Sequence, residues 1–468
     1  MSGRRGAAII AVLLLASACG ARLTPSQRAA GVGFSGVGGN SGEGLPSGQA
    51  TVPGGIATGA TGLPSGAATS IPGGAVGAPP PAGGNGGATD IGVTKDSITI
   101  ASVADVSGVQ PGLFKSAWQA TTALAAFVNN AGGVYGRALK PLLLDSKADD
   151  VANKAAVTEA CDKAFAMVGS MSAFDGGGAQ KGEECGIPDI SAITVNASRS
   201  LATNVYPAYP VSPNFYAAGK SNWVKKTFAE ATQHAAFIML NAGVSKTNGR
   251  QRIDALTKIG FKFVYTAEVQ VLEANYTPFV EDMKKKGVEY IGMLADYQSI
   301  VRLQKAMKQQ SWFPLFRDWD SVAYSSNYLS AGAAVEGSYV FLNTSLFEEC
   351  LKDCQQTNPE MFEYELWLGR VAPTARPDYF GLYAWSAGRL FVKAITDMGP
   401  KLTRKGLLAQ LKTIHSWNDF GLHAAHDIGN KRESPCFLYM KVQGGVFKRY
   451  YPKSGWDCTS GGLIAAHG

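Results

Sequence analysis

The sequence predicts an α/β protein built from two doubly wound parallel-sheet lobes joined by a multi-strand hinge. Three observations carry this prediction. From Asp90 onward, short apolar runs alternate with stretches of helical periodicity, the pattern of parallel strands covered by helices on both faces. The alternation recurs about eight times, more than one sheet holds comfortably. After Leu342 the order breaks down into long helices and a closing hairpin, so the chain returns to both halves.

The elements follow in order. Arg4 and Arg5 precede the apolar run Ile9–Ala16, about half the ~20 residues a bilayer span requires, so residues 1–18 read as an export signal. Ala16-Ser17-Ala18-Cys19 resembles the bacterial lipobox, which implies that Cys19 receives a lipid and becomes the mature N-terminus. Residues 19–89 then form a lipidated cysteine and a Gly/Pro-rich tether. Phe34 is the only aromatic residue there, and LPSGQATVPGG from Leu45 is echoed by LPSGAATSIPGG from Leu63. Such a segment buries too little apolar surface to offset its ordering entropy, and as a coil of about 70 residues it spans roughly 45 Å.

Lobe 1 is expected over 90–212, with 343–425 returning to it, and lobe 2 over 213–342, with 426–468 returning. Expected strands are 97–104, 139–145, 165–170, 187–193, 235–241, 261–269, 288–294, 314–317 and 336–342. Expected helices are 115–130, 151–165, 215–232, 251–259, 277–286, 299–310, 378–398 and 404–411, before a hairpin over 436–451 that turns at Gly444-Gly445.

Of 468 residues, 46% are hydrophobic and 17% charged, enough for large cores, and beyond the signal no run is long enough to span a bilayer. The net charge of +7 loses two units with the signal. The longest basic run is Lys284-Lys285-Lys286, so nucleic acid is not an expected partner. Besides Cys19 there are six cysteines, an even number suited to disulfides in an exported chain. Their order favours Cys161–Cys185, Cys350–Cys354 and Cys436–Cys458, though six cysteines allow fifteen pairings. Zinc at Cys350 and Cys354 lacks completing ligands, and no metal or cofactor is expected.

Ligands of open parallel sheets collect beyond the carboxyl ends of the strands. Loops at 105–112, 169–178, 191–198, 241–245, 295–299 and 317–321, rich in hydroxyls, glycines and aromatics, are expected there. Four stretches supply a resemblance: VADVSGVQPG; FVNNAGGVYGRALKPLLLD; FAMVGSMSAFDGGGAQKGEECGIPDISAITV; and ANYTPFVEDMKKKGVEYIGMLADYQSIVRLQKAMKQQSW. In order and spacing they resemble the type I extracytoplasmic solute-binding proteins of ABC transporters, in the branched-chain amino acid-binding group, over about 90–468.

The resemblance implies a receptor, not an enzyme, that closes two lobes on a small amino acid-like molecule and presents it to an ABC permease. It would work outside the cell membrane, tethered by Cys19. Hydroxyl and backbone groups of lobe 1 would hold a carboxylate and an acidic group an ammonium. By position Ser172 and Ala173 would meet the carboxylate, with Thr194 or Val195 contributing. Ser107 sits in the first ligand loop, Tyr297 faces from lobe 2, and Asp318 or Asp320 is the acid. Phe174, Trp319 and Tyr324 point to a larger or aromatic solute.

Two other functions fit parts of the sequence. A sensor signalling to a membrane partner would have the same pocket. A lipid-anchored hydrolase could use Ser386, since Ala384–Gly388 approaches a nucleophile elbow, but that serine falls inside a helical run. His423 and His426 read as a surface loop rather than metal ligands.

Overall fold

A computed structural model describes residues 78–350 and 353–468. The export signal, Cys19 and the repeated tether units lie outside the described residues.

Strands β1 (Ser97–Ala104), β2 (Ala138–Asp145), β3 (Ala166–Val168) and β4 (Asp189–Ile190) form a parallel sheet in the order β2-β1-β3-β4. Nearly every residue of β1 is buried, as expected of a strand covered on both faces. The helix Lys115–Asn130 packs one face of this sheet and meets the buried helix Tyr379–Met398. Gly388 permits that approach, because a Cβ there would lie 1.9 Å from Leu124 Cδ2.

After β5 (Phe215–Ala217), a second sheet contains β6 (Ala235–Leu240), β7 (Phe263–Val269), β8 (Tyr290–Leu294), β9 (Phe316–Trp319), β10 (Tyr339–Leu342), β11 (Leu438–Gln443) and β12 (Val446–Tyr451). Its order is β12-β11-β10-β9-β8-β6-β7, parallel from β7 to β10 and closed by the antiparallel β11–β12 hairpin. The chain crosses between the sheets near 210–214, 343–345 and 423–435. Two crossings are tied together by Ala424 N–H to Asn343 O and Ser345 N–H to Leu422 O, each 2.8 Å. Cysteines 161 and 185, 350 and 354, and 436 and 458 are paired as disulfides.

Several expectations change. Residues 215–232 are not one helix: Phe215–Ala217 pairs antiparallel with β13 (Leu463–Ala465), and helices follow at Gly219–Thr227 and Ala229–Gln233. The helix expected at 251–259 begins at Ser245, and the strand expected over 187–193 narrows to Asp189–Ile190. The helix Pro359–Val371 was not read from sequence, although Asn358 caps it and Pro359 opens it. Residues 78–89, expected to be tether, lie against the body instead. The buried Arg137 guanidinium donates to the carbonyls of Asn85, Gly87, Thr94 and Pro400. Among the described residues no helix is long and apolar enough to cross a membrane.

Candidate functional site

The carboxyl ends of β1, β3 and β4 face those of β6, β8 and β9 across a cleft of about 360 Å³, near the lower end of small-molecule pockets. Its rims touch. Gln110 Nε2 donates to Asp296 Oδ2 at 3.1 Å, and Asn248 Nδ2 donates to the Val195 carbonyl at 3.0 Å. These contacts join opposite lobes, so the cleft is narrowed around its cavity.

The lobe 1 wall is mostly apolar, with Leu113, Phe114, Met171, Ala173, Ile193 and Val195 facing in. The backbone donors expected to receive a ligand carboxylate are already engaged. Asp105, fully buried, accepts from Ala173 N–H (2.8 Å) and Ser172 Oγ (2.8 Å), and also from Ala148 N–H and Ser146 Oγ. Asp175 accepts from the N–H groups of Val195 and Asn196, each at 3.0 Å. Burial pushes its carboxyl up to about 7, although Arg199 and those two N–H groups pull the other way.

The opposite pole, formed by lobe 2 and the crossings, is charged. Lys220 stands in the first turn of the helix Gly219–Thr227, 4.0 Å from the Phe341 ring centroid. Its nearest carboxylate oxygen, Asp318 Oδ2, is 3.6 Å away. Burial lowers the Lys220 pKa, but Asp318 and Tyr216 outweigh it and the net shift is upward, so the ammonium stays charged. Arg252 pairs with Asp320 at 2.7 Å. Burial would raise the Asp320 pKa; Arg252 and Lys220 bring it below the usual range. Glu433 accepts from Tyr209 Oη (3.1 Å) and Ala217 N–H (3.2 Å), and burial raises its carboxyl to about 7.

Of the residues singled out by sequence, Ala173, Val195, Tyr297 and Asp320 line the cleft together, with Tyr324. Ser107, Ser172, Phe174, Thr194, Asp318 and Trp319 stand outside its lining. Ser107 is exposed and donates to Asp145, while Thr194 accepts from Ser200. Asp318 accepts from Tyr290 Oη at 2.7 Å and Tyr439 Oη at 3.0 Å behind the wall. Sequence reading missed Lys220, Arg252 and Glu433. Lys220 was concealed in an overlong expected helix, and Glu433 in a crossing without periodicity.

His423 and His426 are buried, not on a surface loop. His423 Nδ1 donates to the Ala424 carbonyl, so its Nε2 accepts from Ser386 Oγ at 2.8 Å, and Trp417 Nε1 donates to the same hydroxyl. Ser386 lies on the buried helix Tyr379–Met398 and His423 packs against it, so the pair sits inside the core and outside the cleft lining.

A family model described as "Periplasmic binding protein" matches residues 97–445. No curated protein matches the chain. Among solved structures, a fatty acid ABC transporter substrate-binding protein from Thermomonospora curvata is 19% identical, with TM-score 0.66, covering 80% of this chain and 97% of its own. A leucine-binding protein from Thermotoga maritima is 14% identical, with TM-score 0.63, covering 75% and 97%. An R. palustris ABC transporter solute-binding protein in complex with 4-hydroxybenzoate is 14% identical, with TM-score 0.63, covering 78% and 98%. At these identities the likeness is one of fold.

Proposed function

The chain belongs to the periplasmic binding protein family, and on that premise we propose that it is an extracytoplasmic receptor for a small amphipathic solute, which it delivers to an ABC permease. The observation that carries the reading is the cleft itself. It lies between the strand ends of two sheets, is lined from both, and is bridged at its rims by Gln110–Asp296 and Asn248–Val195. Closure of such lobes is driven by a ligand's higher affinity for the closed than for the open form.

Ala173, Val195, Tyr297 and Asp320 contact the solute in this reading. The similar structures name leucine, fatty acid and 4-hydroxybenzoate as solutes, and in this reading the solute here is an amino acid or a related amide or carboxylate. The lipobox-like Ala16–Cys19 supports a lipid anchor on the outer face of the membrane.

Native mass spectrometry on freshly purified protein tests the reading. One small molecule per chain, released unchanged, is expected; a solute converted to product would replace binding by catalysis. Vesicle uptake with and without the protein then separates transport from sensing, since a sensor leaves uptake unchanged.

A further inference from the structure

The cleft distributes its hydrogen-bonding capacity unevenly. On lobe 1 the N–H groups of Ala173, Val195 and Asn196 all point to buried aspartates of the chain itself, Asp105 and Asp175. A ligand carboxylate at that wall would find its donors taken and two carboxyl groups behind them. The acids lining the charged pole are also engaged: Asp320 by Arg252 and by Ser321 N–H at 2.9 Å, Glu433 by Tyr209 and Ala217 N–H.

Lys220 is different. It lines the cleft and is only 7% exposed. It forms an ion pair with Asp318 at 3.6 Å, beyond hydrogen-bond distance, and its three donors have no hydrogen-bond acceptor among the described residues. A buried ammonium in that condition calls for an acceptor, preferably charged. The first turn of the helix Gly219–Thr227 adds positive potential at the same place.

We propose that the solute is a monocarboxylate with an apolar body and no α-ammonium group, its carboxylate received by Lys220 and its body laid against Leu113, Phe114, Met171 and Ile193. This rests on the receptor reading and deepens it. An α-amino acid fits less well, because a carboxylate seated on Lys220 brings its own ammonium close to the lysine and to Arg252, and Asp320 is already paired with Arg252.

Calorimetric titration of the purified full-length protein with octanoate, phenylacetate, phenylacetamide, leucine and phenylalanine tests this. Octanoate or phenylacetate should bind one per chain, at least tenfold more tightly than phenylacetamide and 100-fold more tightly than either amino acid. Lys220→Met should weaken the acid at least tenfold, and Lys220→Arg should recover part of the loss. The comparison of acid with neutral amide needs no variant, so a poorly folding Lys220→Met leaves the test intact. Leucine or phenylalanine binding as tightly as the acids, amide matching acid, or neither acid binding would each overturn the inference. The receptor reading falls with it only if native mass spectrometry also finds no bound solute.

Discussion

The amide N–H of Ala173 donates to the Asp105 carboxylate at 2.8 Å, across 68 residues of chain. That bond places a carboxylate of the protein where a ligand's was expected, and it ties the loop after β3 to the end of β1.

Asp105 gathers four donors, two backbone and two hydroxyl. Asp105→Ala leaves them in a buried site without an acceptor, at a cost of about 3 kcal/mol. Urea unfolding should show the loss. Formate at high concentration should restore part of it in the variant and little in the wild type. An unchanged midpoint would mean that water satisfies the donors.

Arg137 holds residues 85–87 and Pro400 to the body through carbonyl contacts. Arg137→Ala should cost about 2–4 kcal/mol and open the segment near Asn85 to protease. Cleavage at the wild-type rate would show that other contacts hold this segment.

His423 is buried and neutral, its pKa pushed down from 6.5 to about 4 by loss of solvent, against a smaller upward pull from the Ala424 carbonyl. The folded-state pKa lies below the unfolded one, so between them the folded chain binds fewer protons. Stability present above pH 6.5 is therefore lost as pH falls toward 4, by about 3 kcal/mol in total. Asp175 and Glu433, raised to about 7, act with the opposite sign: their share falls as pH rises from about 4 to 7. The histidine effect is thus read as a difference. His423→Gln should flatten the acid limb of the pH–stability curve relative to wild type, and parallel curves would contradict it.

Much of the architecture is legible in sequence because its cause is local. The continuous burial of Ser97–Ala104 and the helical spacing of Lys115–Asn130 are visible in a window of a few residues. The cysteine pairs follow chain order because each closes a short loop. What escaped depends on distant partners. Phe215–Ala217 reads as the start of a helix until Leu463–Ala465 pairs with it. His423 and His426 look like loop residues until the helix Tyr379–Met398 covers them, with Tyr383 bonding His426. The pocket shows the same division. The loops that surround it are recognisable, but the engagement of their N–H groups by Asp105 and Asp175 is a tertiary fact.

Gln110 and Asn248 bridge the rims with one hydrogen bond each. Replacing both by alanine removes about 1 kcal/mol per contact, about 2 kcal/mol together, from the closed form, which should weaken solute binding roughly 30-fold and raise the radius of gyration in small-angle scattering. An unchanged radius together with unchanged affinity would mean that these bonds do not bias closure.

Hydrogen exchange with and without saturating solute tests the two-lobe clamp most directly. The account predicts slower exchange in residues 110–114 of lobe 1 and 294–298 of lobe 2 together. Protection confined to one lobe, or spread over surfaces remote from both, would contradict it.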